Sequence, residues 1–327
     1  MQTDYGKHGL HRALSTSRLP TPTSAIPQPP SGLPIPAPRE EGYTTSTDVP
    51  LYWARYGQEH APQLLVLHGG PGADHCYLLP QMLRLGEKYD LLFYDQRGGG
   101  RSKSDARSPV TWQTHVEDLG RIAAEYRFEP LSIVGYSWGA MLALLYAIEQ
   151  RRNPHLIPPM RLALIDPAPL TRDYRQQFEA EFARRQAGPE IQRLREELNS
   201  SGLRERDPAS YRQRAFELSV AGYFSDPRRS TDLTPFRVIG RIQQSVWQSL
   251  GDFNLIRDLE GIRIPSIIIH GRDDPIPLAS SSEAARALGT TLVVLDDCGH
   301  VPYVEQPDRL FAALEPFLDE TNPPVRS

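Results

Sequence analysis

Residues 133–140 read IVGYSWGA, with a serine between two glycines at the end of a run of strand-forming residues. The G-x-S-x-G pattern carries chemistry only in one setting. A buried strand must enter it and a helix must leave it, so that a sharp turn lifts the hydroxyl above a parallel sheet. Both neighbours fit. Leu131 to Val134 is a short apolar run, and residues 140–149, AMLALLYAIE, favour helix with no Gly or Pro among them. Gly135 and Gly139 leave room where strand and helix crowd together. The turn forces Ser137 into a backbone region that costs about 1 to 3 kcal/mol. Ser137 is the candidate nucleophile.

Outward from this stretch the chain alternates short apolar runs with longer amphipathic segments, the signature of a parallel sheet covered by helices on both faces. Strands are expected at 51–56, 63–67, 91–94, 131–134, 161–165, 266–269 and 291–295. Gly69, Asp95, Gly135, Asp166, Gly271 and Asp296 follow six of them, at the strand ends where open α/β sheets bind ligands. Between Asp166 and Pro265 the rhythm stops, and charged helical text such as FEAEFARRQAGPEIQRLREEL takes over. The expected fold is α/β, a doubly wound, mostly parallel sheet with an inserted helical cap. Its core comprises 42–169 and 256–327, and its cap 170–255. Residues 1–41, with LPTPTSAIPQPPSGLPIPAPR, are expected to be a disordered, partly polyproline extension.

A serine hydroxyl is a poor nucleophile at neutral pH, so it needs a base within hydrogen-bond reach and a carboxylate that orients the base. In this strand–turn–helix architecture the chain order is nucleophile, acid, histidine. His300 follows both a late strand and a carboxylate; His155 lies too close to the nucleophile helix and His270 just ahead of the acid. In SIIIHGRDDPIPL, Asp274 is preferred as the acid because it lies one step further into the turn and Pro275 fixes the chain after it. Asp166 and Asp273, which also follow strands, are the alternatives. Two backbone donors must face the developing oxyanion. Trp138, after the serine, supplies one, and Gly70 in HGGPG at 68–72 supplies the other. No metal or organic cofactor is required by such chemistry.

Composition narrows the partners. A net charge of −4 and pI near 6.2 give no basic field for nucleic acid and no polybasic stripe for a membrane, which leaves a small-molecule or short-peptide substrate. Cys76 and Cys298 are too few for a disulfide framework and lack metal-ligand spacing, so a reducing, cytoplasmic location is expected. There is no apolar run of the ~18 residues that a membrane span needs. Oligomeric state is not legible.

HGGPG at 68–72, DQRGGGRS at 95–102, GYSWG at 135–139 and GHVPYVEQPDRL at 299–310 together resemble the prolyl aminopeptidase (proline iminopeptidase) group of α/β-hydrolase serine enzymes, over roughly residues 42–318. The resemblance implies an α/β-hydrolase fold, Ser137, Asp274 and His300 as a triad, Gly70 and Trp138 as oxyanion donors, and 95–102 as a bracing loop. It also implies release of N-terminal residues from small peptides or amides. Two departures stand out: Tyr136 replaces the glycine usual before the nucleophile, and Val220 stands three residues before Tyr223-Phe224, where the family carries an amine-binding glutamate. Tyr136, Tyr223 and Phe224 are expected at the pocket, with Glu217 as the substitute carboxylate. A small ester or lactone, which needs no amine anchor, is the alternative substrate; a ligand-binding protein without turnover is the alternative outside enzymes.

Overall fold

The computed structural model describes residues 35–105 and 110–319. Eight strands form one sheet: β1 (Glu40–Tyr43), β2 (Tyr52–Gly57), β3 (Gln63–Leu67), β4 (Asp90–Tyr94), β5 (Leu131–Tyr136), β6 (Pro159–Ile165), β7 (Ser266–Gly271) and β8 (Thr291–Leu295). Their order is β1-β2-β4-β3-β5-β6-β7-β8. β2 pairs antiparallel with β1 and β4, and every later pairing is parallel. All seven expected strands are present.

β1 was not expected. Its sequence, EEGY, has no apolar run, and pairing with the edge of β2 makes it a strand, with Glu41 opposite Ala54 and the Tyr52 hydroxyl donating to Glu41. Glu40 and Glu41 therefore belong to the sheet and not to the N-terminal extension, whose residues 1–34 lie outside the described residues.

The strands are apolar on both faces because both are covered. Leu65, Leu67 and Ile133 face one core, with Met141 and Leu145; Leu64, Val66 and Val134 face the other, with Tyr303 and Phe311. α1 (Trp112–Glu125) and α2 (Trp138–Arg152) follow β4 and β5. Between β6 and β7 every regular element is helical: α3 (Arg172–Gln186), α4 (Pro189–Ser200), α5 (Leu203–Arg206), α6 (Pro208–Val220), α7 (Gly240–Leu250) and α8 (Leu255–Leu259). Local chemistry sets their starts. The Thr171 hydroxyl accepts the Tyr174 N–H, Asp207 caps α6, and Pro189 and Pro208 open their helices, where a missing N–H costs nothing. The remaining α-helices among the described residues are α9 (Leu278–Leu288), α10 (Pro302–Glu305) and α11 (Pro307–Asp319). No helix among the described residues is long and apolar enough to cross a membrane.

Candidate active site

Ser137 sits between β5 and α2 with φ +54° and ψ −116°, a conformation that side chains avoid. Four backbone bonds hold it there. Its N–H donates to the Ile165 carbonyl at 2.8 Å, and its carbonyl accepts from Ala140, Met141 and Ala168 at 3.1 Å. A Cβ on Gly139 would lie 2.2 Å from the Leu67 carbonyl, and one on Gly135 2.6 Å from the Gly139 carbonyl. The glycines thus allow α2 to begin against β3.

His300 occupies the loop between β8 and α10. Its N–H donates to the Tyr223 carbonyl at 2.7 Å, and its carbonyl accepts from the Tyr136 hydroxyl at 2.7 Å. The ring is stacked on Tyr223, centroids 5.1 Å apart. So held, Nε2 lies 2.9 Å from Ser137 Oγ and Nδ1 lies 2.7 Å from Asp274 Oδ2. Asp274 is fixed by its other oxygen, which accepts the Ile276 N–H at 2.7 Å. The three side chains come from three separate strand ends and converge at hydrogen-bond distance.

The alternative acids lie elsewhere. Asp273 accepts from Ser225 Oγ at 2.9 Å. Asp166, fully buried with φ +40°, accepts the Gly271 N–H at 2.8 Å from behind Asp274. Burial, and then the charge of Asp274, push the Asp166 carboxyl well above the usual range. Asp274 is also desolvated, but the His300 ring outweighs that and draws it below its ordinary value. Burial thus favours the neutral form of Asp166, and the histidine favours the charged form of Asp274. His155 is exposed, and buried His270 is engaged by Ser281 Oγ and the Ile276 carbonyl. Asp166, His270 and Asp274 bring one ligand-type atom each within 4.8 Å of one another; these side chains engage Gly271, Ser281, Ile276 and His300, and the buried Asp166 Oδ2 has no hydrogen-bond partner among the described residues.

Gly70, with φ +61°, and Trp138 at the first position of α2 line one cavity with Ser137 and His300. The loop after β4 braces this corner. Gln96 receives the Trp138 indole N–H at 2.8 Å and donates its own side chain to the His68 carbonyl at 2.7 Å. Asp95 accepts from His75 and from the Arg101 N–H.

The cavity encloses about 400 Å³. Tyr223 lines it as expected; Tyr136, Phe224 and Glu217 do not. Tyr136 lies behind His300, its ring against Tyr77 and Tyr303. Phe224 is buried in the core. Glu217 is turned toward its own helix, accepting from Gln213 and Arg214 at 3.0 Å. The cap residues that do reach the cavity escaped the sequence reading: Arg175, Phe178, Glu179 and Phe182 from α3, and Gly240, Gln243, Gln244 and Trp247 from α7. Each set follows the i, i+3, i+4, i+7 spacing of one helix face. In charged text that spacing looks like a solvated surface.

Comparison with known proteins agrees with this architecture. The proline iminopeptidase of Saccharolobus solfataricus is 23% identical over 305 residues, covering 86% of this chain and 93% of the relative. A solved proline iminopeptidase-related protein from Thermus thermophilus superposes with a TM-score of 0.65 at 23% identity, covering 85% and 96% of the two chains. Naproxen esterase from Bacillus subtilis does so at 0.60 and 15%, covering 86% and 91%. At such identities the solved structures speak for the fold. The profile of the Alpha/beta hydrolase family matches residues 64–314, the span from β3 to α11 that contains the serine turn and both strand-end loops, and the chain belongs to that family.

Proposed function

We propose that this hydrolase transfers the acyl group of a small carboxylic ester or amide to water through an acyl-Ser137 intermediate. The observation that carries it is the continuous relay from Ser137 Oγ through His300 to Asp274, at 2.9 and 2.7 Å, opening on the cavity. His300 takes the hydroxyl proton as Ser137 attacks the carbonyl, then hands it to the leaving group. Asp274 keeps Nδ1–H directed and stabilises the imidazolium. The Gly70 and Trp138 N–H groups receive the oxyanion. His300 then activates the water that releases the acid. The substrate is a small molecule, in keeping with the size of the cavity.

The pocket favours an ester over a peptide with a free amine, because its carboxylate, Glu179, is already paired with Arg175 at 2.8 Å. The second reading, release of an N-terminal residue, is supported by the relatives named proline iminopeptidase. Purified protein, with Ser137→Ala as control, is to be assayed on a prolyl anilide and a short-chain nitrophenyl ester. Serine-dependent ester cleavage without anilide cleavage is expected; anilide cleavage as the faster reaction selects the peptidase reading, and activity retained in Ser137→Ala overturns both.

A further inference from the structure

The cavity beside Ser137 contains a cation that the acyl-transfer chemistry leaves unused. Arg175 projects from α3 and lays its guanidinium over the ring of Trp247 on α7, 4.0 Å from the centroid. Trp247 in turn meets Trp138 edge to face at 5.7 Å. The stack fixes the plane of the guanidinium without using its donors. Nε donates to Glu179 Oε1 at 2.8 Å, while neither Nη has an acceptor among the described residues. The Arg175 side chain is 28% exposed and that of Glu179 54%. Both side chains line the cavity, and the ion pair occupies only the Nε edge of the fork.

We infer that Arg175 is an anion subsite and that the preferred substrate is a small ester carrying a free carboxylate, such as a half-ester of a short dicarboxylic acid. This rests on the proposed serine hydrolysis and names its substrate class. A planar guanidinium presents two parallel N–H groups that match the two oxygens of a carboxylate. Stacking on Trp247 preorganises that fork, so little side-chain freedom is lost on binding. A free amine finds the opposite arrangement: the pocket carboxylate is taken, and the cationic donors repel it. Phe178, Phe182 and Tyr223 supply the apolar wall against which a short methylene chain would lie.

The test compares monoethyl glutarate with ethyl valerate, acid release being followed titrimetrically. Wild-type protein should favour the half-ester in kcat/KM by about tenfold or more, the scale of a charge-assisted bidentate bond. Arg175→Gln should collapse that ratio, chiefly through KM. Arg175→Lys should restore part of it, since a point charge lacks the fork. Glu179→Gln should raise the ratio by removing a like charge. Equal rates on the two esters in wild type, or a ratio unmoved by Arg175→Gln, overturns the subsite. Two controls separate this from failure of the hydrolase reading. Covalent labelling of Ser137 by a fluorophosphonate reports the nucleophile. Calorimetric titration of glutarate into Ser137→Ala protein reports the subsite without turnover; binding that Arg175→Gln weakens about tenfold supports it, and binding absent or indifferent to Arg175→Gln overturns it.

Discussion

At the residue scale, two carboxylates at neighbouring strand ends divide into different roles. Asp274 touches His300, whereas Asp166 accepts the Gly271 N–H and burial favours its neutral form. Asp166→Asn keeps the shape of the side chain and leaves the Asp274–His300 contact in place, and should leave kcat within about tenfold of wild type. Asp274→Asn removes the charge that holds Nδ1–H and can turn an amide donor toward it, and should lower kcat by about 10³ to 10⁴, as in other serine triads. Steady-state kinetics on one ester decides, and the reverse order would make Asp166 the acid. Ser137→Ala should lower kcat by about 10³-fold or more with an unchanged melting temperature, because alanine meets the same positive φ with the same Cβ.

At the element scale, the nucleophile turn depends on how closely α2 approaches β3. Gly139 is the contact point, and an added methyl would sit 2.2 Å from the Leu67 carbonyl. Neither a strand backbone nor a helix start yields cheaply. Gly139→Ala should destabilise the fold by about 1 to 3 kcal/mol, the usual cost of overpacking, and chemical denaturation measures it. A variant as stable as wild type would show that β3 and α2 separate easily. Much of this element was legible in residues 131–149, because strand run, glycines and helix formers all act locally. The orientation of α3 was not. Its charged face could have looked to solvent, and only packing over the sheet turns Arg175 and Glu179 toward the cavity.

At the scale of the molecule, one side chain joins the histidine loop to the cap. Glu305, buried on α10, accepts the Gly299 N–H at 2.7 Å and the Ser225 N–H at 2.8 Å. Burial pushes its carboxyl up to about 7 against the opposing pull of those N–H groups and Arg229. The folded state therefore holds the proton more tightly than the unfolded chain. This contribution to stability is full below about pH 4.5 and is lost as pH rises through 7, on the order of 3 kcal/mol across the window. The melting temperature of wild type relative to Glu305→Gln should fall between pH 5 and 8; a difference constant with pH would show that Glu305 titrates normally.

The sequence by itself determined the α/β architecture, the helical insertion after β6, and the serine turn. Each rests on local physics: apolar runs of strand length, helical spacing, and glycines where backbone crowds backbone. Even the order of serine, acid and histidine along the chain was readable. Tertiary structure decided the rest. EEGY became β1 only because β2 offered an edge. Asp274 rather than Asp166 faces His300 because it stands three residues past β7, on a turn where the Ile276 N–H fixes its second oxygen, whereas Asp166, directly after β6, is engaged by the Gly271 N–H. Arg175 and Glu179, not Glu217, meet the cavity because the face a cap helix presents is set by distant packing, which no local spacing encodes.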